Sequence, residues 1–308
     1  VGKYIVRRLL QMIPVALGAT FLIYAMVFSL PGDPTTGKCG ERNCPPEFVA
    51  AFNEKYNLDD PLLVQYGKYM GNVLQGDLGE AQSGLPVSEE LSERYVITFK
   101  LGGMALAIEA VIGILAGIVA GLRKGGFLDA LVLVSTLFVI SIPVFVIGNV
   151  SQLFFGIELG WFPVTVPFEP SLFDLFMPAM VLASASVAYL ARLMRSSMAE
   201  NLRSDYVRTA NAKGLGPSRV VGVHTLRNSM IPVVTFLGYD FGALLGGAII
   251  TEGIFNIYGV GGYIFQGISD QDGIAVVSSV TVLVVIYLLM NLLADVLYGV
   301  LDPRISHD

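Results

Sequence analysis

The stretch LLQMIPVALGATFLIYAMVFSL, residues 9–30, contains no charged side chain and is long enough to cross a bilayer as a helix. Lys3, Arg7 and Arg8 precede it, as in the basic region of a secretory signal. The apolar run is too long for a signal core and no A-x-A pattern precedes Pro31, so it reads as an uncleaved first span. Five further stretches have the same character. Residues 101–122 are broken only by Glu109, and residues 129–158 hold no charge between their two acidic ends. Residues 175–191 end at Arg192, residues 229–251 are broken by Asp240, and residues 273–294 end at Asp295. The expectation is an all-α integral membrane protein with six transmembrane helices and both termini on one side.

Composition agrees. Of 308 residues, 54% are hydrophobic and 14% charged, against about 45–50% and about 25% in soluble domains. Mean hydropathy is +0.67. An apolar, charge-poor chain is not a disordered one, and a net charge of −6 argues against a nucleic-acid partner. The two histidines, His224 and His307, and two cysteines, Cys39 and Cys44, assemble no zinc-binding pattern, so no metal site is expected.

Basic residues orient the spans. Lys3, Arg7 and Arg8, then Arg123 and Lys124, then Arg192, Arg195, Arg203, Arg208, Lys213, Arg219 and Arg227, then Arg304 fall on one face. The other face carries Lys38, Arg42, Lys55, Lys68 and Arg94, all in its first loop. Both termini are therefore expected in the cytoplasm. The chain divides into residues 1–30 (tail and first span), an extracytoplasmic helical segment at 31–98, and a five-span core at 99–308. Within the outer segment, Val49, Phe52 and Tyr56, and Leu62, Tyr66 and Tyr69, have helical spacing, separated by Pro61 and closed by the turn Gly76-Asp77-Leu78-Gly79. Cys39 and Cys44 lie here, either as a small disulfide loop, which an oxidising compartment favours, or as two free thiols.

The least ordinary segment is the inner loop between spans four and five. Residues 204–213 read as a helix capped by Ser204 or Asp205, with Lys213 in its last turn. Gly214 is placed to take a left-handed C′ conformation, and Pro217 to open a second helix at 217–227. The result is a rigid hairpin at 203–228, protruding from the membrane or lying on lipid headgroups.

Here the sequence resembles a family. Tyr206-Val207-Arg208-Thr209-Ala210-x-Ala212-Lys213-Gly214-Leu215, followed by His224-x-Leu226-Arg227-Asn228-x₃-Pro232, is similar to the EAA loop of ABC importer permeases, in the dipeptide/oligopeptide branch. Ala210, Gly214 and Leu226 match the general motif. Arg208 stands where it has an acidic residue, and His224 and Arg227 stand where it has Ile and Pro; the peptide branch shares these departures. The outer stretch Asn57-Leu58-Asp59-Asp60-Pro61 with Gly76-Asp77-Leu78-Gly79, and Glu252-x-Ile254-Phe255 with Gly259-x-Gly261, extend the resemblance. So does the run from Asn291 to Arg304, so that it covers essentially the whole chain and points to the first permease subunit.

The resemblance implies a type I ABC importer permease for di- and oligopeptides, paired with a second, homologous permease. It implies two cytoplasmic ATPases docked on the hairpin through Tyr206, Arg208, Thr209, Ala210, Ala212, Lys213, Gly214, Leu215, His224, Leu226 and Arg227. An extracytoplasmic substrate-binding protein would deliver the peptide. The chain has no G-x-x-x-x-G-K-[ST] motif of its own. ATP and Mg²⁺ would thus be bound on the partners, and no enzyme activity is expected here. Related systems carry nickel, haem or glutathione, and an ion-coupled secondary transporter is a rival from another class, although no internal repeat is visible.

Two ionisable residues fall inside spans. Glu109 shares a face with Gly113, Gly117 and Gly121, a surface suited to close helix contact. It is either a path carboxylate meeting a peptide's amino group or a protonated or hydrogen-bonded packing residue. Asp240 lies between Gly238 and Gly242, and either lines the path, if the glycine stripe packs on a neighbour, or makes a structural hydrogen bond. Asp295 reads as one half of a carboxylate–arginine pair or a helix end, and Phe138, Phe145, Phe154 and Phe155 as lipid- or helix-packed. Asp270 and Asp272 belong to an acidic outer surface that either receives the binding protein or is simply solvated.

Overall fold

The computed structural model describes residues 2–29, 35 and 44–301, and the described chain is helical, with one isolated β-bridge between Glu80 and Pro86. In order come α1 (Gly2–Phe28), α2 (Pro46–Tyr56), α3 (Leu62–Leu74), α4 (Val87–Leu122), α5 (Phe127–Ser141), α6 (Val144–Ser151) and a π-helical segment at Gln152–Glu158. There follow α7 (Leu172–Asn201), α8 (Asp205–Ala212), the single turn α9 (Pro217–Arg219), a second π-helical segment at Val220–Leu226, α10 (Arg227–Phe255), α11 (Val260–Ser269) and α12 (Gly273–Leu301).

Five stretches are long and apolar enough to cross a membrane: Ile5–Phe28, Val87–Leu122, Leu172–Asn201, Pro217–Phe255 and Gly273–Val296. The expected span at residues 129–158 is not one straight helix. Phe127–Ser141 and Val144–Glu158 meet at a bend of 97°. Ile142 is extended (φ −100°, ψ 125°), and Pro143 (φ −57°, ψ 139°) opens the next helix. Proline has no N–H and drives the preceding residue out of helical geometry, which breaks the helix here. The count of six holds when the bent pair is one broken span.

Helix α4 runs unbroken through residue 98, where the sequence suggested that the outer segment ends and the core begins. Its 36 residues extend about 54 Å, well beyond a hydrocarbon core of about 30 Å. The outer part of α4 is therefore a projection of the second span. Its glycine face packs as expected. Gly113, Gly117 and Gly121 lie on Leu190, Met194 and Met198 of α7. A Cβ on Gly117 would stand 2.5 Å from Met194 Cβ and 2.7 Å from the Ala191 carbonyl oxygen. On α10, Gly238 approaches Ala294 and Gly242 approaches Tyr287 of α12, each at 3.1 Å from the position of a Cβ.

The outer helices α2 and α3 sit over the ends of α1 and α12. Asn57 ends α2 in left-handed geometry (φ 56°), and Pro61 opens α3. Tyr66 and Thr20 hydroxyls meet at 2.8 Å, Tyr69 donates to Thr281 at 3.0 Å, and Ser278 donates to the Leu78 carbonyl at 2.6 Å. Lys55 bonds Glu80 at 2.6 Å, which holds its ammonium group above its ordinary pKa. Tyr24, Tyr56, Tyr69 and Ile274 help to enclose a cavity of about 110 Å³ between these layers.

Two ion pairs fasten helix ends. Arg8 of α1 meets Asp295 of α12 at 2.9 Å, and the Tyr239 hydroxyl of α10 also donates to Asp295. The beginning of α1 and the end of α12 are thus on one side. The Asp295 partner is Arg8; the tail residue Arg304 lies outside the described residues. Asp129 at the start of α5 accepts from Arg195 near the end of α7, with a 2.8 Å contact from Nη2, and from the Gly125 N–H at 2.7 Å.

Candidate functional site: the hairpin and the helix it joins

Helix α8 begins after Ser204, which is extended (φ −69°, ψ 155°), and ends at Lys213. Gly214 has φ +76°. Its N–H donates to Asn211 O at 2.9 Å and the Leu215 N–H donates to Ala210 O at 3.3 Å. This pair of bonds is a Schellman closure, which satisfies the last carbonyls of the helix and reverses the chain. Leu215 then folds onto Val207, Ala210 and Val220, a small apolar core belonging to the hairpin itself.

The second arm does not stop at Arg227. From Pro217 the chain stays helical through the π-helical segment into α10, so that Pro217–Phe255 is one 39-residue stretch. The arm expected to be a short helix is the cytoplasmic end of span five. Within the π-helical segment, Thr225 is buried and donates to Val220 O at 3.1 Å, and the Ser229 hydroxyl donates to Thr225 O at 2.9 Å.

The expected coupling residues divide by exposure. Tyr206, Arg208, Thr209, Ala212, Lys213, Gly214 and Arg227 are exposed, and Arg208 leaves 76% of its side chain open beside Asp205. Ala210 is buried in the hairpin core, while Leu215, His224 and Leu226 are half-buried. Leu226 packs against the cluster built on Leu190, Met194, Met198 and Val233. The first group can meet a partner. Ala210, Leu215 and Leu226 hold the shape that presents it.

Glu109 and Asp240 are brought together. Glu109 is 0% exposed, and its carboxyl lies in hydrogen-bonding contact with that of Asp240. Glu109 is therefore sealed within this subunit, whereas Asp240 is only half-buried. Cys44 is disulfide-bonded. Cys39 lies outside the described residues.

Two acidic residues have buried partners that sequence reasoning did not assign. Asp272 is only 6% exposed and accepts from the N–H groups of Gln82 and Ala275, so it ties the outer segment to α12 and is not a receiving surface. Glu252 is wholly buried. It accepts from the Thr98 hydroxyl at 2.8 Å and from the Gly262 N–H at 2.9 Å, and Thr98 in turn accepts from the Val260 N–H at 2.9 Å. Gly259 lies directly over the carboxyl, where any Cβ would collide with it. A charged residue followed by the glycine-rich turn Gly259-x-Gly261-Gly262 was the available signal. Nearby, Arg94 is bonded to Glu90 at 2.6 Å and sits 3.7 Å from the Tyr258 ring and 4.4 Å from the Tyr263 ring.

Thr98→Val should remove a donor and an acceptor from this enclosed network at a cost of about 1–3 kcal/mol. The melting temperature of the purified protein is expected to fall, and Thr98→Ser, which keeps the hydroxyl, should stay near the parent. Equal melting of all three proteins would show the network to be idle. No group of three or more potential ligands that could hold a metal is found among the described residues.

Comparison with known proteins follows the same lines. Residues 113–307 match the family described as the binding-protein-dependent transport system inner membrane component, and residues 1–87 match the N-terminal part of such membrane components. A di/tripeptide transport system permease protein DppB of Pseudomonas aeruginosa is 38% identical over 332 residues, covering 99% of each chain. The dipeptide transport system permease protein DppB of Escherichia coli K12 is 36% identical, again over 99% of each. A putative peptide transport system permease protein of Brucella abortus is 35% identical over 311 residues and 99% of each chain.

Proposed function

The chain belongs to the binding-protein-dependent transport system inner membrane components, and on that premise we propose that it is the DppB-type permease subunit of an ATP-driven ABC importer of di- and oligopeptides. It forms the translocation path with a second, homologous permease and performs no covalent chemistry. Two cytoplasmic ATPases bind ATP and Mg²⁺ and dock on the exposed residues of α8 and Gly214. A substrate-binding protein delivers peptide on the opposite side. The hairpin, the beginning of α1 and the end of α12 face the cytoplasm of a multi-pass plasma-membrane protein, as the distribution of basic residues favours.

The observation that carries this reading is the continuity of the hairpin with α10. A helix whose last carbonyls are closed, joined by a small packed core to a second arm, moves as a body. Because that arm is the first part of the stretch Pro217–Phe255, displacement of the hairpin by closing ATPases displaces span five across the membrane. A flexible loop would absorb that motion.

The broken span supplies the path wall. Ser141 and Pro143 are exposed on this subunit, and Ile142 between them is extended. Irregular backbone at membrane depth is tolerated only against protein or water. Ser141→Cys is therefore expected to react with a membrane-impermeant thiol reagent in the assembled importer, above the level of unsubstituted protein. Absence of reaction both with and without ATP would remove the break from the path.

The function is tested by purifying the complex and measuring ATP hydrolysis with a binding protein loaded with candidate ligands. Dipeptide loading is expected to stimulate hydrolysis. Stimulation only by nickel, haem or glutathione would reassign the substrate, and a protein that purifies without ATPases would contradict the reading.

A further inference from the structure

Glu109 of α4 and Asp240 of α10 meet deep in the membrane-spanning region. Both oxygens of Glu109 are enclosed without a hydrogen-bond donor, and so is Oδ2 of Asp240. The two carboxyls lie against each other. Neither residue is part of an ion pair among the described residues.

Two carboxyl groups in contact make a hydrogen bond only when one carries a proton and the other accepts. Charge is least tolerable on the group with no access to solvent. Glu109 is sealed and Asp240 is not, so of the two only Asp240 has a side open to a ligand. A partly exposed carboxylate at this depth does not face lipid; it faces protein or a water-filled cavity. The glycine flanks explain how Asp240 reaches that position. Gly238 and Gly242 let α10 close on Ala294 and Tyr287 of α12. The side chain of the residue between them is left on the α4 side, beside Glu109.

We propose that Asp240 holds the α-ammonium group of a peptide in transit, with the enclosed Glu109 behind it as a positioning residue that donates to the carboxylate and fixes its orientation. This rests on the importer reading above and names the chemical group that the path recognises. A peptide's amino terminus is a cation that must cross a low-dielectric region, and an anion with one side already hydrogen-bonded meets it on the open side. Because Asp240 is on the helix continuous with the hairpin, the site moves with the ATPases, which allows release.

The experiment uses the complete importer, with its second permease, ATPases and binding protein, reconstituted in proteoliposomes and supplied with labelled dipeptide. Asp240→Asn keeps the shape and removes the charge; uptake is expected to fall about tenfold or more, the equivalent of one lost charged contact, in a complex that co-purifies with its ATPases at parental yield. Glu109→Ala should also lower uptake, and Glu109→Gln should restore most of it, because the amide donates where the proton did. Parental uptake by Asp240→Asn overturns the proposal. So does equal loss in Asp240→Asn and Glu109→Gln, which would make the pair a proton-carrying or purely structural unit. So does wild-type uptake that follows external Na⁺ or K⁺ and loses that dependence in Asp240→Asn, which would assign the carboxylate to an inorganic cation. Failure of the wild-type complex to import any dipeptide contradicts the importer reading itself, and this proposal with it.

Discussion

Replacing Gly214 by proline is expected to uncouple the importer: peptide uptake and ligand-stimulated ATP hydrolysis should be lost, while the subunit still inserts and purifies. Gly214 sits at φ +76°, and proline is fixed near −65°. The substitution also removes the N–H that bonds Asn211 O at 2.9 Å, worth about 0.5–1.5 kcal/mol. Both arms must then separate, and the core of Val207, Ala210, Leu215 and Val220 opens. Gly214→Ala is a graded control. An L-residue held in left-handed geometry costs about 1–2 kcal/mol but keeps the N–H, so partial coupling is expected. The two rates, measured in proteoliposomes with all partners, decide the matter; normal coupling in Gly214→Pro would mean that the elbow plays no part.

Gly117→Leu is expected to prevent assembly of the subunit. The hypothetical Cβ already meets Met194 Cβ at 2.5 Å and the Ala191 carbonyl at 2.7 Å. Overpacking of a tight contact costs about 1–3 kcal/mol even where side chains can shift, and here backbone must move. The contact lies along α4 and α7, with Gly113 and Gly121 one turn away on either side, where a Cβ would stand 2.9 Å from Leu190 and 2.6 Å from Met198. Separating the helices at Gly117 therefore disturbs all three. Little or no subunit should survive in membranes or co-purify with ATPases. Gly103→Leu is the control, since nothing lies within 4 Å of that position. Equal yields of the two variants would show that the glycine face is not a packing surface.

Features confined to one helix or one turn were legible in the sequence. The apolar runs, the four-residue glycine spacing of α4 and the C′ glycine at 214 each follow from local geometry, and each is present. Pro143 was visible, but a proline inside an apolar run fits a kinked helix as well as a break, and only the extended Ile142 distinguishes them. The boundary at residue 98 followed a change in composition, from charged to apolar, which a continuous helix crosses without a change in backbone. What could not be read was pairing between distant segments. Helical spacing shows that Glu109 belongs to the glycine face of α4, but not that Asp240 of α10 lies against it. The same holds for Arg8 with Asp295, Asp129 with Arg195, and Thr98 with Glu252. In each, the partner is fixed by the packing of whole helices.

The most direct measurement of the central claim is accumulation of a labelled dipeptide by proteoliposomes containing this subunit and its partners, with ATP inside and the binding protein outside. Uptake is expected to require both and to continue when a proton uncoupler is added. Uptake without ATP that collapses with the uncoupler would contradict it and would make the chain an ion-coupled carrier.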